Sequence, residues 1–278
     1  MVAIRSVAIQ GIQGSNSHIA AREMLGSDVH IVPCSLSADV IAAVLDQRAD
    51  VAVLPIENSL HGSVAEHYDL LLQHPLRIDA EHQLRITHHL IATPGVSIRE
   101  IRTVLSHPVA LSQCRRFLAG FVQAHGLPFF DTAGSVRHVV ENKLRDTAGI
   151  APRLAAGIYG GEILQENIED HAENFTRFHL LRRASDPPTL TYAEANKLSA
   201  AFAIEHRPGS LVRTLTALAA TGADLTKIES RPVAGRPWEY VFFVDLRFEN
   251  GQTGADAAMA ALTATSRMAK ELGRYLAA

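Results

Sequence analysis

The sequence predicts an α/β protein in two parts: about 180 residues forming two lobes, then a ferredoxin-like βαββαβ domain of about 80 residues. Three observations predict it. Short apolar runs alternate with helix-period segments as far as Leu181, the pattern of parallel sheets covered by helices. An apolar stretch at 84–92 reads as a strand crossing mid-chain, which splits the first part into two lobes with a cleft between them. After Pro187-Pro188 the pattern changes to strands of period two interleaved with two helices, in the order of the ferredoxin-like split.

The elements follow in order. Residues 2–9 read as a buried strand. Gly11 and Gly14 then make a turn, and Ser15-Asn16-Ser17 cap a helix carrying Ile19, Ala20, Met24 and Leu25. Such a helix start offers backbone N–H groups to an anion, although a tight turn is the ordinary reading of the two glycines. A strand at 29–32 precedes a helix from Ser37 to Leu45. Residues 51–54, apolar throughout, suit a parallel strand buried on both faces. They end in Pro55-Ile56-Glu57-Asn58-Ser59 with Gly62 close behind, and a helix runs from near Ser63 to Leu72. Polar residues just past such a strand are where open α/β sheets place ligands; the alternative is that Asn58 and Ser59 cap the loop backbone.

In the second lobe a strand at 104–105 leads into Ser106-His107-Pro108 and a helix through Leu111, Cys114, Phe117 and Leu118. Ser106 reads as its N-cap, and Gln113 follows about two turns on. A strand at 129–130, a helix at 136–144, a strand at 149–151 and a helix at 152–159 complete the lobe, and the chain returns as a strand at 176–181. Polar loops at 11–17, 55–62, 106–113 and 174–178 then face the cleft. In the last of these, Asn174-Phe175-Thr176-Arg177-Phe178 sets a hydroxyl beside a guanidinium between two aromatic rings. Arg offers a planar fork for a carboxylate, and Thr can donate a hydrogen bond to a departing oxygen. Residues 184–196 form a linker, and 197–278 the small domain: strands at 198–204, 225–231 and 240–246, a helix opening at Gly209, a helix running through Ala258, Leu262, Thr265, Ala269 and Leu272, and a short final strand at 274–276.

Composition excludes several functions. With 47% hydrophobic and 20% charged residues the chain is of the globular type, and its net charge of −3 without a Lys/Arg block gives no support to nucleic-acid or anionic-membrane binding. No stretch approaches the roughly 20 apolar residues of a membrane span, and the N-terminus lacks the core of a signal peptide, so a cytoplasmic protein is expected. Cys34 and Cys114 share no metal spacing, and the 14 histidines form no metal motif. His88 and His89, adjacent on a strand, point to opposite faces. Neither a metal nor a cofactor is expected.

Four separated motifs carry a resemblance. They are Gly11-x-x-Gly14-Ser15-Asn16-Ser17-His18, Pro55-Ile56-Glu57-Asn58-Ser59-x-x-Gly62, Ser106-His107-Pro108-x-Ala110-Leu111-x-Gln113-Cys114 and Asn174-x-Thr176-Arg177-Phe178. Together the chain resembles the prephenate dehydratases. Its C-terminal part resembles their ACT regulatory domain, through Arg207-Pro208-Gly209-Ser210-Leu211, Ile228-Glu229-Ser230-Arg231-Pro232, Pro237-Trp238-Glu239-Tyr240 and Phe242-Phe243. The resemblance implies a catalytic domain over 1–183, similar to two-lobed periplasmic binding proteins, with its second lobe at roughly 83–173. It implies the decarboxylating dehydration of prephenate to phenylpyruvate, a carbon–oxygen lyase reaction of phenylalanine biosynthesis. Thr176 is then the central catalytic residue, with Asn58, Ser106 and Gln113 in the same cleft and Arg177 and Phe178 shaping it. L-Phenylalanine binds the ACT domain near Gly209, Ser210, Leu211, Asp224, Glu229, Ser230 and Arg231, between the subunits of a homodimer or homotetramer. No chorismate mutase segment precedes the first strand, so a monofunctional enzyme is expected.

The chain departs from the family pattern at Ile12, where proline is usual, and at Val109, where glutamine is common. Gly222-Ala223-Asp224 stands for Gly-Ile-Asn and sets a charge near the effector pocket. Arogenate dehydratase shares all these motifs, and a non-catalytic amino-acid sensor is a reading from a different class.

Overall fold

The computed structural model describes residues 4–188, 194–233, 239–249 and 251–278. The middle of the expected linker (189–193) and Pro237-Trp238 of the expected C-terminal motif lie outside the described residues. In chain order the elements are β1 (Ser6–Gln10), α1 (Asn16–Leu25), β2 (His30–Cys34), α2 (Ser37–Leu45), β3 (Val51–Asn58), β4 (Gly62–Ser63), α3 (Ala65–Gln73) and β5 (Leu76–Arg85). Next come β6 (His89–Ala92), β7 (Thr103–Ser106), α4 (Pro108–Gln113), α5 (Arg115–Gly120), β8 (His125–Pro128), α6 (Thr132–Glu141), β9 (Thr147–Ala151), α7 (Arg153–Tyr159) and β10 (Glu162–Gln165). The last are β11 (Phe175–Arg183), β12 (Lys197–Ala203), α8 (Ser210–Ala219), β13 (Asp224–Pro232), β14 (Tyr240–Arg247), α9 (Gly251–Thr265) and β15 (Met268–Tyr275). The contacts divide the chain into two compact units. Of the described residues, one comprises 4–63 with Gln83–Phe178, the other Val64–His82 with His179–Ala278.

The first unit holds both lobes. In the first lobe β2, β1 and β3 pair in parallel, in that order. The centres of β1 and β3 are fully buried, which is why those stretches are apolar on both faces. The short β4 folds back on the end of β3, Asn58 opposite Gly62. The second lobe has a five-stranded sheet of order β10-β6-β9-β7-β8. One face packs on α4 and α5 through Leu90, Val104, Ile150, Ala110 and Cys114, the other on α6 and α7 through Ile91, Val136 and Ala155. This sheet is mixed, not purely parallel: β7 runs parallel to β8 and β9, whereas β6 is antiparallel to β9 and β10.

The second unit contains the βαββαβ order β12-α8-β13-β14-α9-β15, with its antiparallel sheet ordered β13-β14-β12-β15. Leu198, Phe202, Leu218, Val244, Leu246 and Leu262 form the core between this sheet and the two helices. Residues 64–82 pack within the same unit. The Tyr68 ring lies 5.1 Å from that of Phe243, and Lys270 Nζ donates to the Leu71, Leu72 and His74 carbonyls at the end of α3. Gly273 backs directly onto Ile78, where an added Cβ would come within 2.2 Å of the Ile78 carbonyl oxygen. No helix of the described residues is long and apolar enough to cross a membrane.

Four elements differ from their sequence reading. The strand expected at 84–92 is two strands, since the stretch between β5 and β6 sends its backbone N–H groups elsewhere: Ile86 to the Asn174 carbonyl and His88 to the Glu169 carboxylate. The strand expected at 129–130 lies at 125–128, and Phe129 only donates its N–H to Ser106 O. The helix expected over 108–118 is broken at Cys114, whose φ of −122° is not helical. The last helix ends at Thr265, and Ala269 and Leu272 belong to β15, where pairing with β12 overrides an apolar spacing that reads as helical.

Candidate functional site

The ends of β3 and β11 are pinned side by side by two bonds, Ser59 N–H to Phe175 O (2.8 Å) and Phe175 N–H to Ser59 Oγ (3.0 Å). This brings Asn58 against Thr176, residues 118 apart in the chain. Asn58 Nδ2 lies 3.0 Å from Thr176 Oγ1, 2.7 Å from Asn174 Oδ1 and 3.1 Å from Phe175 O. Its Oδ1 accepts from the N–H groups of Leu60 and His61, both at 3.0 Å. Asn58 thus caps its own loop with the oxygen, as the capping reading expects, and bonds Thr176 with the nitrogen. Since Thr176 Oγ1 accepts a hydrogen bond from the Asn58 amide, its own O–H is left to donate. Asn174 Nδ2, also buried, has no partner among the described residues.

The second lobe meets this group through α4. Gln113 Nε2 is 3.3 Å from His61 Nδ1, and Gln113 Oε1 is 2.8 Å from His88 Nε2. His61 Nε2 lies 3.2 Å from Ser112 Oγ. Burial pulls the His88 imidazole below its ordinary range, outweighing the Gln113 bond and the Glu169 charge that act the other way. Asn58, Gln113 and Thr176, named from the sequence, thus fall into one hydrogen-bonded group. His61, Ser112 and His88 complete it. The sequence gives two signals for these, the positions of His61 inside the segment Pro55 to Gly62 and of Ser112 inside the segment Ser106 to Cys114.

Three expected residues stand apart. Ser106 is fully buried and its hydroxyl donates to Ile150 O at 2.6 Å, bracing β7 against β9. Strand alternation turns Arg177 to the face opposite Thr176, where its Nη2 pairs with Glu57 Oε2 at 2.8 Å. Phe178 is 1% exposed and belongs to the core.

A cavity of about 670 Å³ opens at the Gly11–Gly14 turn and is lined by Ser15, Asn16, Cys34, His107, Phe130 and Asp131 among others. Gly11 has φ +98°, and a Cβ there would sit 2.6 Å from Asp131 Oδ2, so the glycine is required on both counts. Asp131 caps α6 by accepting from Gly134 N–H at 2.6 Å. Burial raises its carboxyl above the usual range against the N–H groups of Gly134, Ile12 and Ala133. Burial likewise lowers His107, with Asp131 opposing.

In the second unit a cavity of about 310 Å³ is lined by Arg207, Gly209, Leu211, Glu239, Tyr240 and Phe242 among others. Gly209 and Leu211 are there together, and Ser210 is buried at the start of α8. Asp224, Glu229, Ser230 and Arg231 lie on β13, outside that lining. Asp224 is exposed at the strand's start. Glu229 pairs with Lys227 (3.3 Å) and Arg231 with Asp69 (2.6 Å).

Fold and site together define a two-lobed α/β enzyme whose polar groups at the strand ends are hydroxyls, amides and imidazoles, carrying a ferredoxin-like domain with a cavity of its own. The family model described as prephenate dehydratase matches residues 7–186, and the chain belongs to the prephenate dehydratase family. It is 38% identical over 280 residues to arogenate dehydratase/prephenate dehydratase 2, chloroplastic, of Arabidopsis thaliana, spanning 97% of this chain and 72% of that one. Among solved structures it is similar to a prephenate dehydratase from Arthrobacter aurescens in complex with L-Phe (TM-score 0.87, 30% identity, 98% and 90% of the two chains). It is also similar to GqqA, described as a novel type of quorum quenching acylase (TM-score 0.89, 33% identity, 99% and 98%).

Proposed function

We propose that the chain converts prephenate to phenylpyruvate, carbon dioxide and water, under control by L-phenylalanine at its ACT-type ferredoxin-like domain. The observation that carries this reading is the Asn58–Thr176 bond. In the reaction the ring carboxylate leaves as CO2, its bonding electrons pass through the cyclohexadiene, and the hydroxyl across the ring departs as the ring becomes aromatic. The departing oxygen needs a proton donor. Thr176, which accepts a hydrogen bond from Asn58 and whose O–H has no acceptor among the described residues, suits hydrogen-bonding that oxygen as it departs, with the proton relayed from water. General-acid assistance of this kind is worth about 10²–10⁴-fold. Gln113 and Asn174 offer uncharged donors, which orient a carboxylate without holding it so tightly that decarboxylation is opposed. The Glu57 pair favours Arg177 as a positioning residue that fixes β11 beside β3 over a carboxylate anchor. Arg177→Lys then lowers kcat and leaves KM near wild type, whereas loss of an anchor raises KM.

Phenylalanine fits the 310 Å³ cavity as an apolar ring beside Leu211 and Phe242, with Glu239 in the same lining. The L-Phe complex of the Arthrobacter relative supports this effector. The residues on β13 would act from a second subunit, so a homodimer or larger assembly accompanies the reading.

The Arabidopsis relative's name supports arogenate as a second substrate. Arogenate undergoes the same loss of CO2 and water and carries an ammonium group where prephenate has a keto group. Acyl transfer has weaker support: an attacking hydroxyl needs a base within reach, and the side chain bonded to Thr176 is an amide. The deciding experiment compares kcat/KM for prephenate and arogenate, with and without L-phenylalanine. Turnover of prephenate suppressed by phenylalanine carries the reading. Turnover of arogenate alone replaces the substrate, and turnover of neither overturns it in favour of the sensor or the acylase.

A further inference from the structure

The bonds around Gln113 have a direction. Ser112 Oγ gives its single proton to Val109 O at 2.7 Å, so at 3.2 Å from His61 Nε2 it can only accept. His61 therefore carries its proton on Nε2, and its Nδ1 presents a lone pair. That lone pair faces Gln113 Nε2, a donor, at 3.3 Å; Asn58 Oδ1 lies equally close to Nδ1, at 3.3 Å, but both its lone pairs are already taken by the N–H groups of Leu60 and His61. With its amide turned this way, Gln113 shows Oε1 to His88 Nε2 at 2.8 Å, so His88 is also protonated on Nε2. The remaining His88 Nδ1 is buried and has no partner among the described residues. A lone pair is the less costly group to leave there, since a buried unpaired N–H is the rarer case in proteins.

We propose that His61 and His88 are positioning residues. Between them they hold the Gln113 amide in one orientation, nitrogen toward the first lobe, and tie α4 to the loop whose Asn58 steers Thr176. No charge and no reacting atom belongs to either histidine in this role. A glutamine at position 113 can turn its amide over at little cost in shape, so the direction has to be imposed from outside, and the two imidazoles impose it from opposite ends. His61 is exposed while His88 is 1% exposed, so the inner histidine sets the direction and the outer one passes it to the Asn58 loop. The role deepens the dehydratase reading and rests on it for its catalytic consequence.

The test has two arms. In the first, long-range ¹H–¹⁵N spectra of the ligand-free wild-type protein at neutral pH report the ring protonation of His61 and His88. The expected result is the neutral Nε2–H tautomer for both. An Nδ1–H tautomer or a cation at either overturns the proposal, and this arm does not depend on turnover. In the second, His88→Leu and His61→Leu are compared with His88→Gln and His61→Asn, which restore a donor to Gln113 Oε1 and an acceptor to Gln113 Nε2. The leucine variants are expected to lose about 10- to 100-fold in kcat with KM changed less than threefold, since misplaced groups cost rate before affinity. The amide variants are expected to recover most of that loss. Equal loss in leucine and amide variants, or wild-type kcat in the leucine variants, overturns the proposal. A wild-type protein that turns over neither prephenate nor arogenate defeats the dehydratase reading, while the spectra still decide the hydrogen-bond order.

Discussion

Around Thr176 the polar groups are amides, hydroxyls and imidazoles; around Lys197, in the other unit, they are full charges. Lys197 Nζ lies 2.7 Å from Glu81 Oε2 and 3.7 Å from Asp245 Oδ2, and Asp245 Oδ1 accepts from Ser199 Oγ at 2.6 Å. These charged side chains are at most 8% exposed. The Thr176 group reaches solvent at His61 and is half-buried at Asn58. A charge taken out of water must be paired where it sits, so the Lys197 cluster is a fixed joint holding residues 64–82 to the ferredoxin-like sheet. Neutral groups lose less when a partner is exchanged, so the Thr176 group can trade bonds with a ligand. The two clusters should therefore fail differently.

The largest expected effect is on rate. Thr176→Val lowers kcat about 10²–10⁴-fold and leaves the urea midpoint near wild type; near-wild-type turnover by this variant would end the assignment of Thr176. Lys197→Met should show the reverse. It leaves Glu81 without its cation and costs about 3–5 kcal/mol of stability, read as a lower urea midpoint, with kcat per folded molecule unchanged. If Lys197→Met instead abolished turnover without moving the midpoint, the division between a structural and a catalytic cluster would be wrong.

Much of this contrast was legible in the sequence on one side only. Asn58, Gln113 and Thr176 could be named together because each stands in one of the four motifs that carry the family resemblance; of local signals, Asn58 had its place past a buried strand and Thr176 its hydroxyl beside a guanidinium. The βαββαβ order was likewise written in the period-two alternation of β12 and β14. Two kinds of feature were not legible. Lys197, Glu81 and Asp245 are far apart in the chain and look like ordinary surface charges until the sheet buries them, so pairing geometry cannot be read from any one segment. Ser106 and Arg177 carry the right chemistry, but a serine side chain has several acceptors within reach, and a one-residue step along a strand reverses the face. Residues 64–72 read as one more helix of the first lobe and no strand is expected from Leu76, because nothing local reveals that Gly273 needs Ile78 behind it.

Ser106 sharpens the comparison as a polar residue in the site's motif that behaves like a member of the structural class. Ser106→Ala removes the donor to the buried Ile150 carbonyl, which should cost about 1–3 kcal/mol of stability. It should leave kcat and KM for the folded protein near wild type. A large loss of kcat with an unchanged urea midpoint would return Ser106 to the ligand-facing group.

The smallest expected effect is acid sensitivity. Burial holds His88 below its ordinary value, and His18, His89 and His107 shift the same way with burial the main cause. Each therefore takes up its proton more readily in the unfolded chain. Their stability contribution is complete above the unfolded value of about 6.5 and is lost as the pH falls through the folded values. Asp131 is shifted upward, so its contribution has the opposite sign: acid relieves its burial as the pH falls through its raised value. Between pH 7 and 5.5 the histidines should dominate, and the unfolding free energy should fall with a slope of up to about 1.4 kcal/mol per pH unit for each histidine that stays neutral. His88→Gln removes one such group and should make the slope shallower by up to that amount. An unchanged slope would mean that His88 takes up its proton equally well folded and unfolded, and that the inner end of the Thr176 group is open to water.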